Sequence, residues 1–278
     1  GFFVDHVSWR WVFLINLPVV ALAVIAVAFL LPESRSSVRQ RIDLVGVALS
    51  GGGLALLTYG VISAGERGVT ETAALAEMGA GALALAGFLV WARRAAAPLV
   101  DLRLFRSWKF AWGATFSSVV SFAMFGLLFA VPLYFQVVHG TDAQGSGIRL
   151  LPLIGGMLVG GALADRLVAR AGARVIAALG FALLAAGLAF GATTSVTSGD
   201  LQAIAWIALS GLGLGLVLPA TIDTALGAVS DETSGVSSGV LQALRMVGGV
   251  LGAAILGAII NSTYRDQLEH AVSAPLPS

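Results

Sequence analysis

A chain of 278 residues with 58% apolar and only 11% charged side chains is not built like a water-soluble domain, in which roughly a quarter of the residues are charged. Its mean hydropathy is +0.92, so lipid must supply much of its solvent. A net charge of +1 gives no basis for a nucleic-acid partner, and the absence of cysteine excludes disulfides and thiolate metal sites.

The apolar runs, taken in order, are long. Trp11 to Pro32 is uncharged for 22 residues, enough to cross a hydrocarbon core of about 30 Å. Leu44 to Gly65 is the second run. Thr72 to Ala92 is the third, interrupted only by Glu77. Phe110 to Val138 is the fourth and has 29 residues, so it is expected to tilt, to bend near Pro132 or to extend beyond the core. The fifth lies within Ile148 to Arg174. It is uncharged from Leu150 to Ala164 and carries the glycine pairs Gly155-Gly156 and Gly160-Gly161. Asp165, Arg166, Arg170, Gly172 and Arg174 follow, which reads as a span ending in a short basic turn. Val175 to Gly199 and Leu201 to Ile222 are the sixth and seventh runs. The eighth is roughly Val236 to Ile260, with Arg245 inside it. None alternates with period two and all are too long for strands, so the fold class is all-α, a membrane protein of about eight spans. The tail from Asn261 reads as polar and without further structure.

The loops alternate in charge. Arg35, Arg39, Arg41, Arg93, Arg94, Arg103, Arg106, Lys109, Arg166, Arg170 and Arg174 fall on one side. Arg10, Arg67, Arg149 and Arg265 fall on the other. Loops rich in Lys and Arg stay in the cytoplasm, so both ends of the chain are expected outside it. Trp9, Trp11, Trp91, Trp108 and Trp112 sit where interfacial belts would hold them. The segment RRAAAPLVDLRLFRSWK, residues 93–109, is the longest cytoplasmic stretch. It reads as a helix stop followed by a short interfacial helix around Leu102, Leu104 and Phe105.

Six motifs occur in order: SWRWVFLINLP (8–18), PLVDLRLF (98–105), LYFQVVHGTDAQGSGIRLLP (133–152), GGALADRLVARAGAR (160–174), GLGLGLVLP (211–219) and SGVSSGVLQALRMVGGVLGAAILG (234–257). Together they resemble the fourteen-span drug:proton antiporters of the major facilitator superfamily. The resemblance implies a partial major facilitator fold in which this chain is an internal piece, from the family's sixth span to its thirteenth. Residues 1–34 would then close the first six-helix half and 35–92 would hold a linker and an extra helix pair. Residues 93–109 would be a cytoplasmic linker, and 110–278 would give five of the six helices of the second half, with the tail. It further implies a multi-pass place in the cytoplasmic membrane and proton-driven export of small lipophilic drugs or toxic compounds. Protons, the lipid bilayer and a small-molecule substrate are the implied partners, with no cofactor beyond the proton gradient. The helices missing from the chain would be needed for transport. A major facilitator transporter for another solute, or a truncated chain that does not transport, stays open beside this reading.

Each candidate residue has a functional and a plain reading. Phe122, Phe125 and Phe129 share a helix face and are either an aromatic wall for lipophilic cations or lipid-facing or packed side chains. Gln136 is a polar contact in the cavity or a buried hydrogen bond, and the resemblance adds Pro219 to the cavity candidates. Asp165, Arg166 and Arg174 sit where the superfamily has its loop motif G-x-L-A-D-R-x-G-R-R, with three extra residues before Gly172. They read as gating charges or as topology-setting charges at a helix end. The glycines of 155–161 and 248–252 read as packing surfaces. His6, His139 and His270 do not cluster, so no metal site is expected. Arg245 lies at mid-membrane depth, where an arginine costs roughly 2.5–3.5 kcal/mol on insertion scales and needs a partner. Ser238, Gln242, Gly249 and Gly252 fall on its helix face. Val240, Val247, Leu251 and Ala258 fall opposite and are expected to face lipid. Arg245 either couples to a charge outside this chain or bonds backbone carbonyls as a structural residue. An embedded enzyme would need several ionisable groups converging at one depth, and only Arg245 lies clearly that deep.

Overall fold

The computed structural model describes residues 8, 10–30, 43–68, 71–95, 100, 102–195, 198–227, 229 and 234–273. Among these there is no strand. The helices are α1 (Trp11–Leu14), α2 (Asn16–Leu30), α3 (Leu44–Arg67), α4 (Thr72–Arg94), α5 (Trp108–Val137), α6 (Ala143–Ile148), α7 (Leu151–Ala171), α8 (Ala173–Gly191), α9 (Asp200–Leu226) and α10 (Ser234–Ser273). A 3₁₀ turn, Leu102–Arg106, precedes α5. Seven segments are long and apolar enough to cross a membrane: α3, α4, α5, α6 with α7, α8, α9 and the first 31 residues of α10. The first expected span is represented by α2, whose apolar part is shorter, and its end falls outside the described residues.

Three boundaries differ from the sequence reading. α7 does not end at Asp165. It runs on to Ala171, and the chain turns only at Gly172, whose φ of +84° suits a residue without Cβ. Asp165 and Arg166 are therefore helical and exposed, and the basic turn is one residue long. α8 stops at Gly191, well short of Gly199. The tail from Asn261 is not structureless, because α10 continues to Ser273. A polar stretch following an apolar span carries no breaker here until Pro275, so the helix has no reason to stop at the membrane edge. α5 passes through Pro132 as one helix of 30 residues.

Lipid tails are as apolar as leucine, so close packing and hydrogen bonds hold such helices together. α9 shows how. Gly211 and Gly215 rest on α7, at Leu153 and Met157, while Gly213 rests on α8, at Gly180 and Leu184. The run GLGLG thus lets one helix sit against two neighbours at backbone distance. α7 answers with Gly156 and Gly160, and α8 with Gly180 and Gly187. α7 and α9 run parallel in this contact, and α8 runs antiparallel to α9. On its third side α9 meets α5 through Val120, Leu127, Val131, Ile207, Leu214 and Val217. A second parallel pair, α5 and α10, closes through Gly248 at Ser118 and Gly252 at Phe122.

α3 and α4 form an antiparallel hairpin, with Gly53 at Leu85, Gly60 at Met78 and Gly81 at Leu57. Trp91 donates its indole N–H to Asp43, 2.9 Å away, which ties the two ends of the hairpin together at the membrane border. The 3₁₀ turn places Leu104 and Phe105 against the lower core of Phe110, Ala114 and Ala225. Alternation of the spans gathers Arg94, Arg103, Arg106, Lys109, Arg170 and Arg174 on one face of the molecule, called the basic face below. Arg67, Arg149 and Asp200 lie on the far face.

Candidate functional site

α5 turns its phenylalanines towards α10. The ring of Phe125 covers Gly249 and the ring of Phe129 reaches Gly257, while Gly252 packs on the backbone of Phe122. Ala253 lies between the two ring contacts. α3 approaches α10 at the far face, where Gly65 touches Ala258 and Asn261 Nδ2 donates to the Gly65 carbonyl at 2.9 Å. Below this clasp α3, α5 and α10 border an open cleft of about 580 Å³, lined among others by Thr58, Ile62, Phe125, Phe129, Ala253 and Asn261. A second cavity of about 600 Å³ lies on the other flank of the α3–α10 contact, against Tyr59, Met246 and Val247. Thr58, Ile62 and Val250 line both. Both volumes fall in the range of small-molecule sites.

The expected cavity residues do not all meet there. Phe125 and Phe129 line the first cavity, and Phe122 does not. Gln136 lies at the far face and donates from Nε2 to Ser146 Oγ at 3.1 Å. Pro219 is half-buried within α9 and lines neither cavity. Close to it, Ser117 of α5 donates to Thr221 Oγ1 at 2.9 Å, a fully buried bond between two spans.

Arg245 is half-buried, about 16 Å along the span at 1.5 Å per residue. Nη1 donates to Gln242 Oε1 one turn back, at 3.1 Å, and Nε is buried without a partner among the described residues. Among the described residues neither a backbone carbonyl nor an acid meets the guanidinium. Its face holds Gly249 and Gly252 as expected, but the opposite side is not a lipid face. Val240 is only 6% exposed, within the Phe110 cluster. Ala258 packs on Gly65, and Val247 lines the second cavity. The reason is that α10 is flanked on two sides, by α5 and by α3. Asp165, Arg166 and Arg174 are exposed on the basic face and form no ion pair with one another.

A polar corner on the far face drew little notice in the sequence. Arg149 Nη2 pairs with Asp200 Oδ2 at 3.0 Å, and its guanidinium carbon lies 5.5 Å from the Phe135 ring centre. Tyr134 and His139 hydrogen-bond at 3.0 Å beside it. The pattern that signals it is a helix-start acid, Asp200, with an arginine at the preceding far-face turn. Asn261 was visible only as the first residue of a polar tail. Among the described residues no His, Cys, Asp or Glu cluster could hold a metal ion.

Seven helical segments long and apolar enough to cross a membrane, packed closely in parallel and antiparallel pairs, define a multi-pass membrane protein. Residues 1–253 match the family described as Major Facilitator Superfamily, and the chain belongs to it. It is 35% identical over 267 residues to the tetracenomycin C resistance and export protein of Streptomyces glaucescens, covering 96% of this chain and 50% of that protein. It is 31% identical over 280 residues to the multidrug resistance protein Stp of Mycobacterium tuberculosis, covering 99% and 52%. It is 33% identical over 276 residues to a probable actinorhodin transporter of Streptomyces coelicolor, covering 93% and 47%. The chain spans about half the length of these relatives.

Proposed function

We propose that the chain is part of a secondary transporter that exports small lipophilic compounds across the cytoplasmic membrane, driven by the proton gradient. The observation that carries this reading is the alignment of nearly the whole chain with a protein named for tetracenomycin C resistance and export. An apolar cavity of about 580 Å³ with Thr58 and Asn261 as its polar groups supports it. Facilitator transport works by rocking one bundle of helices against another around a site near mid-membrane. In this reading the second half is carried by α5 to α10, and the basic face is cytoplasmic. Arg245, whose buried Nε has no partner among the described residues, couples this bundle to a group in the helices beyond this chain. Asp165, Arg166 and Arg174 gate the cytoplasmic side through pairs made only in one state.

The test is efflux in cells stripped of native pumps, expressing the full-length protein. Loss of a lipophilic dye that stops with a protonophore is the expected result. Equal dye retention with and without the protein would overturn the reading, and efflux insensitive to the protonophore would remove its proton coupling.

A further inference from the structure

We propose that the wedge between the basic-face ends of α5 and α8 holds one anionic phospholipid. Its phosphate sits between Lys109 and Arg174, and an acyl chain runs along a ladder of aromatic rings. The proposal uses the placement of the helices in a membrane and is independent of what the protein transports.

The ladder begins at the first residue of α5. Trp108, Trp112 and Phe116 follow at four-residue spacing, so they share one helix face. Their rings meet in sequence. Trp108 lies edge-on to Trp112 with centroids 5.1 Å apart, and Trp112 to Phe116 is again 5.1 Å. Phe116 then crosses to α8, edge-on against Phe181 at 5.6 Å. The rings thus climb about 12 Å into the span over eight residues of α5. Those on α5 stay open to lipid, with Trp108 74% exposed.

α5 and α8 are parallel, and both rest on α9. Gly180 of α8 lies against Val217 of α9, which shares an apolar cluster with Val120 of α5. Phe116 and Phe181 bridge the wedge at its upper end. Four residues nearer the basic face, at the level of Trp112, α8 carries only Ala177 and Ala178. One wall of the wedge is therefore aromatic and the other is bare, which leaves width for an acyl chain.

The charge lies at the mouth. Lys109 stands seven residues before Phe116, and Arg174 stands seven before Phe181. Seven residues are close to two turns, so each cation lies on the face of its own ring, about 10 Å nearer the basic face. Both are exposed, and neither forms an ion pair among the described residues. The acids described on the neighbouring helices are Asp165 on α7 and Asp223 on α9. Both are exposed and pair with neither cation.

These two features together select the occupant. A free phosphate would use the cations and leave the rings in contact with bulk lipid. A lipid without net charge would use the rings and leave two positive groups uncompensated. An anionic phospholipid satisfies both, since guanidinium and ammonium groups hold phosphate oxygens, and basic pockets between membrane helices take anionic head groups.

The experiment is native mass spectrometry of the full-length protein in detergent, titrated with dioleoyl phosphatidylglycerol or dioleoyl phosphatidylcholine. Binding is the readout because Arg174 is also among the proposed gating charges. The first phosphatidylglycerol is expected to bind at least fivefold more tightly than the first phosphatidylcholine. Arg174→Gln with Lys109→Gln should weaken phosphatidylglycerol binding at least fivefold and leave phosphatidylcholine unchanged. Arg93→Gln with Arg94→Gln removes as many charges from the same face, at α4, and should change either lipid less than twofold. Ala178→Trp fills the wedge and should weaken phosphatidylglycerol at least threefold with both cations in place. All five positions are exposed, so the variants are expected to fold. Excess glycerol 3-phosphate should leave the lipid bound. Equal affinity for the two lipids, equal losses in the two double variants, no effect of Ala178→Trp, or displacement by glycerol 3-phosphate would each overturn the proposal.

Discussion

Arg149 and Asp200, 51 residues apart in the chain, form an ion pair of 3.0 Å on the far face. It joins the corner between α6 and α7 to the first residue of α9. An exposed pair of this kind contributes about 0–1 kcal/mol, and Asp200 is 55% exposed. Arg149 does more than pair. Its guanidinium also lies over Phe135 and reaches the Gly145 carbonyl. Arg149→Ala is therefore expected to lower the melting temperature of the purified full-length protein more than Asp200→Asn does. Equal losses from the two would mean that the pair alone matters.

The glycine pairs of α7 are expected to behave unequally. A Cβ at Gly156 would overlap the Ala208 carbonyl, and one at Gly160 the Leu212 carbonyl. A Cβ at Gly155 meets nothing within 4 Å. Gly156→Leu should cost about 1–3 kcal/mol or more through forced separation of α7 and α9. Gly155→Ala should leave thermal stability unchanged or raise it by up to ~1 kcal/mol, because alanine favours the helix. Thermal unfolding in detergent, followed by tryptophan fluorescence, distinguishes them, and equal destabilisation would contradict this packing.

Ser117→Ala removes a fully buried bond between α5 and α9. Thr221 keeps a second interaction, donating to the Val217 carbonyl at 3.0 Å. The loss is thus expected to stay near the ~0.6 kcal/mol average for such bonds in membranes. A double-mutant cycle with Thr221→Val measures it, and a coupling above about 2 kcal/mol would exceed anything one hydrogen bond of this type supplies.

Much of the architecture is readable from the sequence because hydrocarbon thickness and loop charge are one-dimensional signals. The apolar runs that became α3, α4, α5, α7, α8, α9 and α10 are visible in this way. Helix ends were less legible where no breaker follows. Asp165 and Arg166 suggested the end of α7, yet a charged pair can continue a helix into the interface, and Gly172 is the actual stop. Rotation about the helix axis was the harder matter. Spacing set Val240 opposite Arg245, but only the neighbours α3 and α5 decide whether that side sees lipid. Nor could the sequence tell Gly155 from Gly156. The cavity needs residues from three helices, Thr58, Phe125 and Ala253 among them, and no local pattern announces such a meeting.

Arg245 can be probed with Arg245→Gln and Arg245→Lys in the full-length protein at matched membrane expression. A coupling role predicts efflux reduced at least tenfold by the glutamine, with partial recovery by the lysine. Unchanged efflux in both leaves no coupling role, and lost expression points to a structural one.

Orientation is open to a direct test, since the chain has no cysteine. Single cysteines at Ala171 and Ser198 mark the basic and far faces. An impermeant maleimide applied to whole cells should modify Ser198→Cys and spare Ala171→Cys, and the reverse pattern would invert the proposed topology.

The most direct measurement of the central proposal uses proteoliposomes holding the full-length protein and an imposed pH gradient. Addition of a transported lipophilic compound should speed the collapse of the gradient, with the compound moving against the proton flow. A gradient that decays at the same rate with and without the compound, in vesicles shown to hold folded protein, would contradict proton-driven export.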